Sequence, residues 1–190
     1  MMPAPILANE QERLAVMRAL NIMDPHKEQR FQRLASTART LCHTDIGLIT
    51  LLDDQQQWFK ACMGLSIPGT ERTISFCGHA IASEQDVFEV PDALADERFF
   101  DNPLVTGPPF IRFYAGAPIR ITPDVRLGTL CVIHTADVYL SRAQKDCLRS
   151  LADVARDEFL RAPAPAPEVL QAEKERRGLQ DWLSWLGKLK

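Results

Sequence analysis

The chain has 190 residues, room for one domain of roughly 100–150 residues with attachments and too little for a typical two-domain enzyme. Hydrophobic residues make up 46% and charged residues 25%, a globular balance that excludes collagen-like, fibrous and wholly disordered chains. With 22 basic and 25 acidic side chains the formal charge is -3, which argues against nucleic acid as a partner held by phosphate neutralisation.

Residues 9 to 22 carry Leu14, Met17 and Leu20 at three-residue spacing among charged neighbours, the pattern of a half-buried helix. Asp24 and Pro25 form an N-cap and first-turn pair, since an Asp oxygen satisfies orphan amides and Pro lacks the donor that would go unused. The helix they open carries Phe31, Leu34, Ala35, Ala38, Leu41 and Cys42 on one face. Between Asp45 and Asp53, Ile46 to Leu52 is short, branched and apolar on both parities, which reads as a strand covered on both faces. Asp53 to Gln56 is a turn, and Trp58 to Met63 is the hairpin partner. Two more strands are expected at Phe110 to Ile121 and Leu127 to Ile133, then a helix capped by Ser141 with Leu148, Leu151, Ala152, Ala155 and Phe159 in its stripe. The Pro-Ala alternation of residues 161–168 reads as a stiff extended spacer. Beyond it, residues 169–190 read as an amphipathic helix with Leu179, Trp182, Leu183, Leu186 and Leu189 on one face. No apolar run approaches the ~20 residues that a membrane helix needs. The N-terminus lacks the basic and apolar regions of a secretory signal, and five cysteines without a C-x-x-C pair fit a reducing cytoplasm, the expected location.

Coverage supplies an argument about function. Terminal helices can cover one face of a sheet centred on Ile46–Leu52 and Leu127–Ile133, but the other face is equally apolar. The remaining material is the long connection from about Leu65 to Pro109, with one brief strand candidate at Val87 to Val90. A long connection folded over an apolar sheet face is a natural wall for a small-molecule pocket.

Several segments taken in order resemble a bacterial GAF domain: Gln57-Trp-Phe-Lys60, Ser75-Phe-Cys-Gly-His-Ala-Ile81, Val90-Pro-Asp-Ala93, Asp96-Glu-Arg-Phe99, Asp101-Asn-Pro-Leu-Val105, Ile111-Arg-Phe-Tyr-Ala-Gly-Ala-Pro118 and Leu127-Gly-Thr-Leu-Cys-Val-Ile133. The resemblance runs from about Glu10 to Leu160. It implies an α+β sandwich with a central antiparallel sheet of about six strands, N- and C-terminal helices on one face and a loop-roofed pocket on the other. It also implies a sensor that passes a small-molecule signal to an effector. One departure stands out: where many members read Leu-Cys-Val-Ile-Asp, this chain has His134, which would cap the following turn less well than Asp.

Two clusters could carry chemistry. If Ser75 or Phe76 precedes a helix, Cys77 falls in its first turn, where orphan amides favour a thiolate. Cys77 then reads as a packed apolar thiol, as a redox thiol working with Cys131, or as a metal or haem ligand with His79. Covalent bilin attachment in related photoreceptors uses Cys followed directly by His, and Gly78 intervenes here. The second cluster is Asp92, Asp96, Arg98, Asp101, Asn102, Arg112 and Tyr114. Its arginines suit a carboxylate or phosphate and its Asp and Asn suit amines or hydroxyls, unless these groups cap turns and hold the roof closed. Phe76 and Phe99 would be roof core or an aromatic platform. The Asn-Lys-Phe-Asp-Glu constellation of cyclic-nucleotide-binding members is absent.

The expected ligand site therefore comprises Phe76, Cys77, His79, Asp92, Arg98, Phe99, Arg112, Tyr114 and Cys131, with no metal, no identified cofactor and an unidentified small molecule as ligand. The expected organisation is a sensor domain over residues 1–160, a spacer over 161–168 and a helix over 169–190. The chain is expected to be a homodimer, or to reach an effector, through that last helix, because Trp182 and Trp185 are costly to leave exposed. It is expected not to be an enzyme. A thiol redox sensor and a free methionine-(R)-sulfoxide reductase using Cys77 and Cys131 are the alternatives.

Overall fold

The computed structural model of the chain describes residues 1–23 and 28–161. The Asp24–Pro25 cap, all of the spacer beyond Arg161 and the helix over 169–190 lie outside the described residues. A short helix α1 (Glu10–Ala19) leads to α2 (Gln29–Cys42), whose predicted stripe is buried at Phe31, Ala35, Ala38 and Cys42. His43 then adopts the left-handed backbone at φ 53° that ends a helix, and the Thr44 amide returns to the Arg39 carbonyl.

Strand β1 (Ile46–Leu52) is buried along its whole length, as an apolar run on both parities requires. Asp53 makes the turn that follows, its carboxylate accepting from the Gln55 and Gln56 amides, and β2 (Gln56–Met63) returns antiparallel with a bulge between Ile49 and Thr50. After β3 (Gly69–Glu71) and a 3-10 turn (Arg72–Ile74) comes α3 (Phe76–Ala82). Then follow β4 (Phe88–Val90), the one-turn α4 (Pro103–Thr106), β5 (Phe113–Arg120), β6 (Arg126–His134) and α5 (Arg142–Leu160). Ser141 and Gln144 form a reciprocal capping box at the start of α5.

The strands make a six-stranded antiparallel sheet in the order β3-β2-β1-β6-β5-β4. Period-two alternation divides its side chains between two cores. One core joins Ile49, Leu51, Phe113, Ala115, Leu130 and Val132 to α1, α2 and α5. Phe31 of α2 stacks on Phe159 of α5 at 4.4 Å between ring centroids. The other core joins Ile46, Leu48, Tyr114, Cys131 and Ile133 to the connection between β2 and β5. That connection carries two short strands and two short helices, more regular structure than the loop with one brief strand expected from its Pro, Gly and Asp content. The polar residues end these pieces and the apolar ones between them pack inward.

Candidate functional site

The N-terminal end of the roof is fixed by Ser75, whose side chain accepts from the Gly78 amide as the N-cap of α3 and also meets the buried Gln57 side chain. This cap aims Phe76 and Cys77 at the sheet. Phe76 stacks on Phe99 at 3.9 Å and tilts against Tyr114 at 5.3 Å. Tyr114 lies across Gly116 two residues along the same face of β5, where a Cβ would collide with the phenol oxygen.

The phenol directs its hydroxyl to Cys77 Sγ at 3.3 Å, and Cys77 Sγ is 3.7 Å from Cys131 Sγ. Thr129 and Thr50, partners across β6 and β1, approach at 3.2 Å between hydroxyls, and Thr129 lies 3.5 Å from the Tyr114 hydroxyl. Five polar side chains thus form one chain of contacts inside an otherwise apolar core. Burial pushes the Cys77 thiol up, but hydrogen bonds from Cys131, Thr129, Thr50 and Tyr114 outweigh it and hold Cys77 below the ordinary thiol value. Burial and the proximity of Cys77 push Cys131 well above it, so the pair releases its first proton readily and its second with difficulty. Tyr114 is likewise raised, by burial and by the two sulfurs, and stays a donor.

Beside this cluster is a cavity of about 30 Å³, lined mostly by apolar side chains including Leu48, Phe59, Ile67, Phe76, Cys77 and Tyr114. Ligand pockets usually have several hundred Å³, whereas this space suits about one or two water-sized molecules. Thr70, also on its wall, has a buried hydroxyl without a hydrogen-bond partner.

Of the residues expected to hold a ligand, Phe76, Cys77, Phe99, Tyr114 and Cys131 converge in this core. The charged members do not line the cavity, and each has partners within the roof. Asp92 accepts from the Leu94 amide in a turn, and Asp96 clamps Arg98 with two bonds of 2.9 and 2.6 Å. Arg98 covers the Phe88 and Phe99 rings, and Arg112 donates to the carbonyls of Val105 and Ile111. These groups close the roof, as turn-capping residues do. His79 faces the N-terminal segment, donating from Nε2 to the Met2 carbonyl at 3.2 Å and meeting the edge of Phe99; burial pushes its pKa down. Among the described residues no group of three or more His, Cys, Asp and Glu side chains is placed to hold a metal.

His134 finds its role from the structure. Asp45, at the start of β1, supplies the carboxylate to the turn after β6, accepting from the amide and hydroxyl of Thr135, while His134 Nδ1 stands 2.8 Å from the same carboxylate. Burial tends to raise Asp45, and the Thr135 and His134 interactions hold it low.

Three contributors escaped the sequence reading. Thr50 and Thr129 gave a signal, as hydroxyls inside strands otherwise apolar on both parities. The N-terminal arm gave none: Met2 and Ala4 donate their amides to the Arg98 and Thr73 carbonyls, and Ala4 packs where a Cβ on Gly78 would intrude. An ionic knot joins α1 to the roof, with Glu10 holding both Arg13 and Arg72.

The sheet order, the helices on one face and the walled second face define a sensor-type α+β domain, and the chain belongs to the GAF domain family, which it matches over residues 26–157. It is 44% identical over 129 residues to a cyclic di-GMP phosphodiesterase of Pseudomonas aeruginosa, a match covering 68% of this chain and 22% of that protein. It therefore spans about a fifth of that relative's length. The expectation of a non-enzymatic chain is corrected by this match, because the relative is named as an enzyme. Among solved structures, the GAF domain of a Coxiella burnetii phosphoenolpyruvate-protein phosphotransferase superposes with a TM-score of 0.59 at 15% identity, covering 80% of this chain and 95% of that one. A type II free methionine-R-sulfoxide reductase of Thermoplasma acidophilum gives 0.56 at 14% identity, covering 68% and 89%. At these identities the likeness is one of fold. No helix among the described residues is long and apolar enough to cross a membrane.

Proposed function

We propose that this chain is a sensory domain that regulates cyclic di-GMP turnover, reading its input between the sheet and the roof. The observation that carries the reading is the 44% identity over 129 residues to a cyclic di-GMP phosphodiesterase. A metabolite needs roughly ten times the space now beside Cys77, so ligand binding has to be coupled to lifting the roof. The ligand would rest on Phe76, Phe99, Tyr114 and the two thiols. Arg98, Arg112 and Asp92 act as fasteners whose bonds are exchanged as the roof moves. A small molecule that fits only the lifted arrangement shifts the population toward it, and the shift is all the signal requires. Residues 1–160 form the sensor on this reading, residues 161–168 the spacer, and residues 169–190 the helix through which two copies pair or an effector is reached.

The test exchanges the matching segment of this chain for that of the Pseudomonas phosphodiesterase and measures cyclic di-GMP hydrolysis beside the native enzyme and a deletion of the segment. Activity restored toward the native level supports the reading. Activity no different from that of the deletion overturns it.

A further inference from the structure

Two cysteines stand at 3.7 Å, a hydroxyl is directed at one of them, and a cavity too small for a metabolite has that same cysteine on its wall. We propose that Cys77 and Cys131 are a peroxide-oxidisable pair that closes to an intramolecular disulfide. This goes beyond the regulatory role proposed above and does not depend on it.

Geometry carries the proposal. Cys77 lies in the first turn of α3 and Cys131 lies inside β6, so the bond would tie roof to sheet. A disulfide has its sulfurs ~2.05 Å apart, so the present separation must shorten by about 1.7 Å, within reach of rotamer changes and a small shift of α3. Cys77 lines the cavity, which accommodates a molecule the size of hydrogen peroxide. Ile67, on the same wall, is 43% exposed and marks the side from which a small oxidant enters. The remaining cysteines are placed differently. Cys42 is buried in the helix-side core and pushed up to about 11 by that burial, Cys62 donates to the Leu65 carbonyl, and Cys147 is exposed on α5.

The chemistry balances with a hydroperoxide as the two-electron oxidant. Cys77, as thiolate, attacks the peroxide; an S–O bond forms, the O–O bond breaks, and the departing oxygen takes up the thiol proton and leaves as water or alcohol. The Cys131 sulfur then attacks the sulfenic sulfur, forming the S–S bond and breaking S–O, and water leaves with the Cys131 proton. Two thiols are oxidised and one peroxide is reduced. Tyr114, whose hydroxyl is directed at Cys77, is a positioning residue: it favours the thiolate and must release it when the disulfide closes.

The full-length chain is reduced, exposed to hydrogen peroxide in modest excess, alkylated under denaturing conditions and digested for mass spectrometry. The expected product is a peptide pair joined through Cys77 and Cys131, lighter by two hydrogens, with Cys147 still available to the alkylating agent. Tyr114→Phe is expected to slow its formation severalfold, with a shift of the pH profile to higher pH that a purely structural defect would not give. A variant with Cys42, Cys62 and Cys147 all changed to Ser keeps the pair and is expected to form the same link. The proposal is overturned if Cys77 and Cys131 stay fully alkylatable while Cys147 is oxidised, or if the link found joins Cys42 to Cys147 instead.

Discussion

Replacing Glu10 with Gln probes how the first helix is fastened to the roof. Glu10 sits in the first turn of α1 and faces two guanidinium groups, Arg13 at 2.5 Å and Arg72 at 2.5 Å, which are 0% and 2% exposed. Arg13 also donates to the carbonyls of Leu52 and Leu127, and Arg72 to those of Asp53 and Pro5, so one carboxylate balances a knot of four chain segments. Burial alone would raise the Glu10 pKa, but the bonds from Arg13 and Arg72 prevail and bring it from 4.5 to about 2. That shift corresponds to roughly 3 kcal/mol before screening, and about 2 kcal/mol once the partial exposure of the carboxylate is allowed for. Leaving two buried arginines without their counter-charge argues for a loss at or above that figure. Glu10→Gln should therefore be less stable by about 2–3 kcal/mol at pH 7, lowering Tm by roughly 4–12 °C in a domain of this size. A lowered carboxylate pKa gives stability that is present above the unfolded value and disappears as pH falls through the folded one. The gap between the two proteins should accordingly hold above pH 4.5 and close on approach to pH 2. Urea denaturation followed by circular dichroism across that range measures it. Equal midpoints at pH 7, or a gap that persists unchanged at the acid end, would refute the reasoning.

Other expectations concern the two cores and the tail. Phe159→Ala removes the ring stacked on Phe31 and should cost about 3–5 kcal/mol in chemical denaturation; a loss under 1 kcal/mol would show that the stack is incidental. Gly116→Ala puts a methyl where the Tyr114 phenol lies, so it should cost about 1–3 kcal/mol and change the near-ultraviolet circular dichroism of the tyrosine; an unchanged spectrum would contradict the close approach. Arg126, which donates to the Ile81 and Ser83 carbonyls at the end of α3, should speed amide exchange in α3 when changed to Met, with α2 unaffected; equal exchange in both helices would count against it. If residues 169–190 pair two copies, truncation at Pro163 should lower the mass found by sedimentation, and an unchanged mass would retire the dimer.

The sheet was legible in the sequence because two of its strands, Ile46–Leu52 and Leu127–Ile133, are apolar on both parities, which only double coverage explains. Helix α5 was equally plain, its start given by Ser141 and its face by Leu148, Ala152, Ala155 and Phe159. The roof residues were legible as a set, but their partners were not. Arg98 and Asp96 have the same composition whether they grip a ligand or each other, and a two-residue separation favoured the local bond. Gln57 and Thr70 reach the site from β2 and β3 through contacts between distant segments, which no periodicity announces. The nearness of Cys77 and Cys131 depends on how α3 packs on β6, two elements whose residues lie 54 apart in the chain, and no spacing in the sequence announces it.

Cys131 faces the roof, yet its neighbours in the chain, Leu130 and Val132, sit in the helix-side core. The sheet is a membrane one residue thick, and its two sides are separated by a single peptide unit. A tug on the Cys131 side chain therefore need not travel around the molecule to be felt by α5, because it displaces the very backbone against which that helix rests, much as a fingertip on one side of a drumhead moves the other.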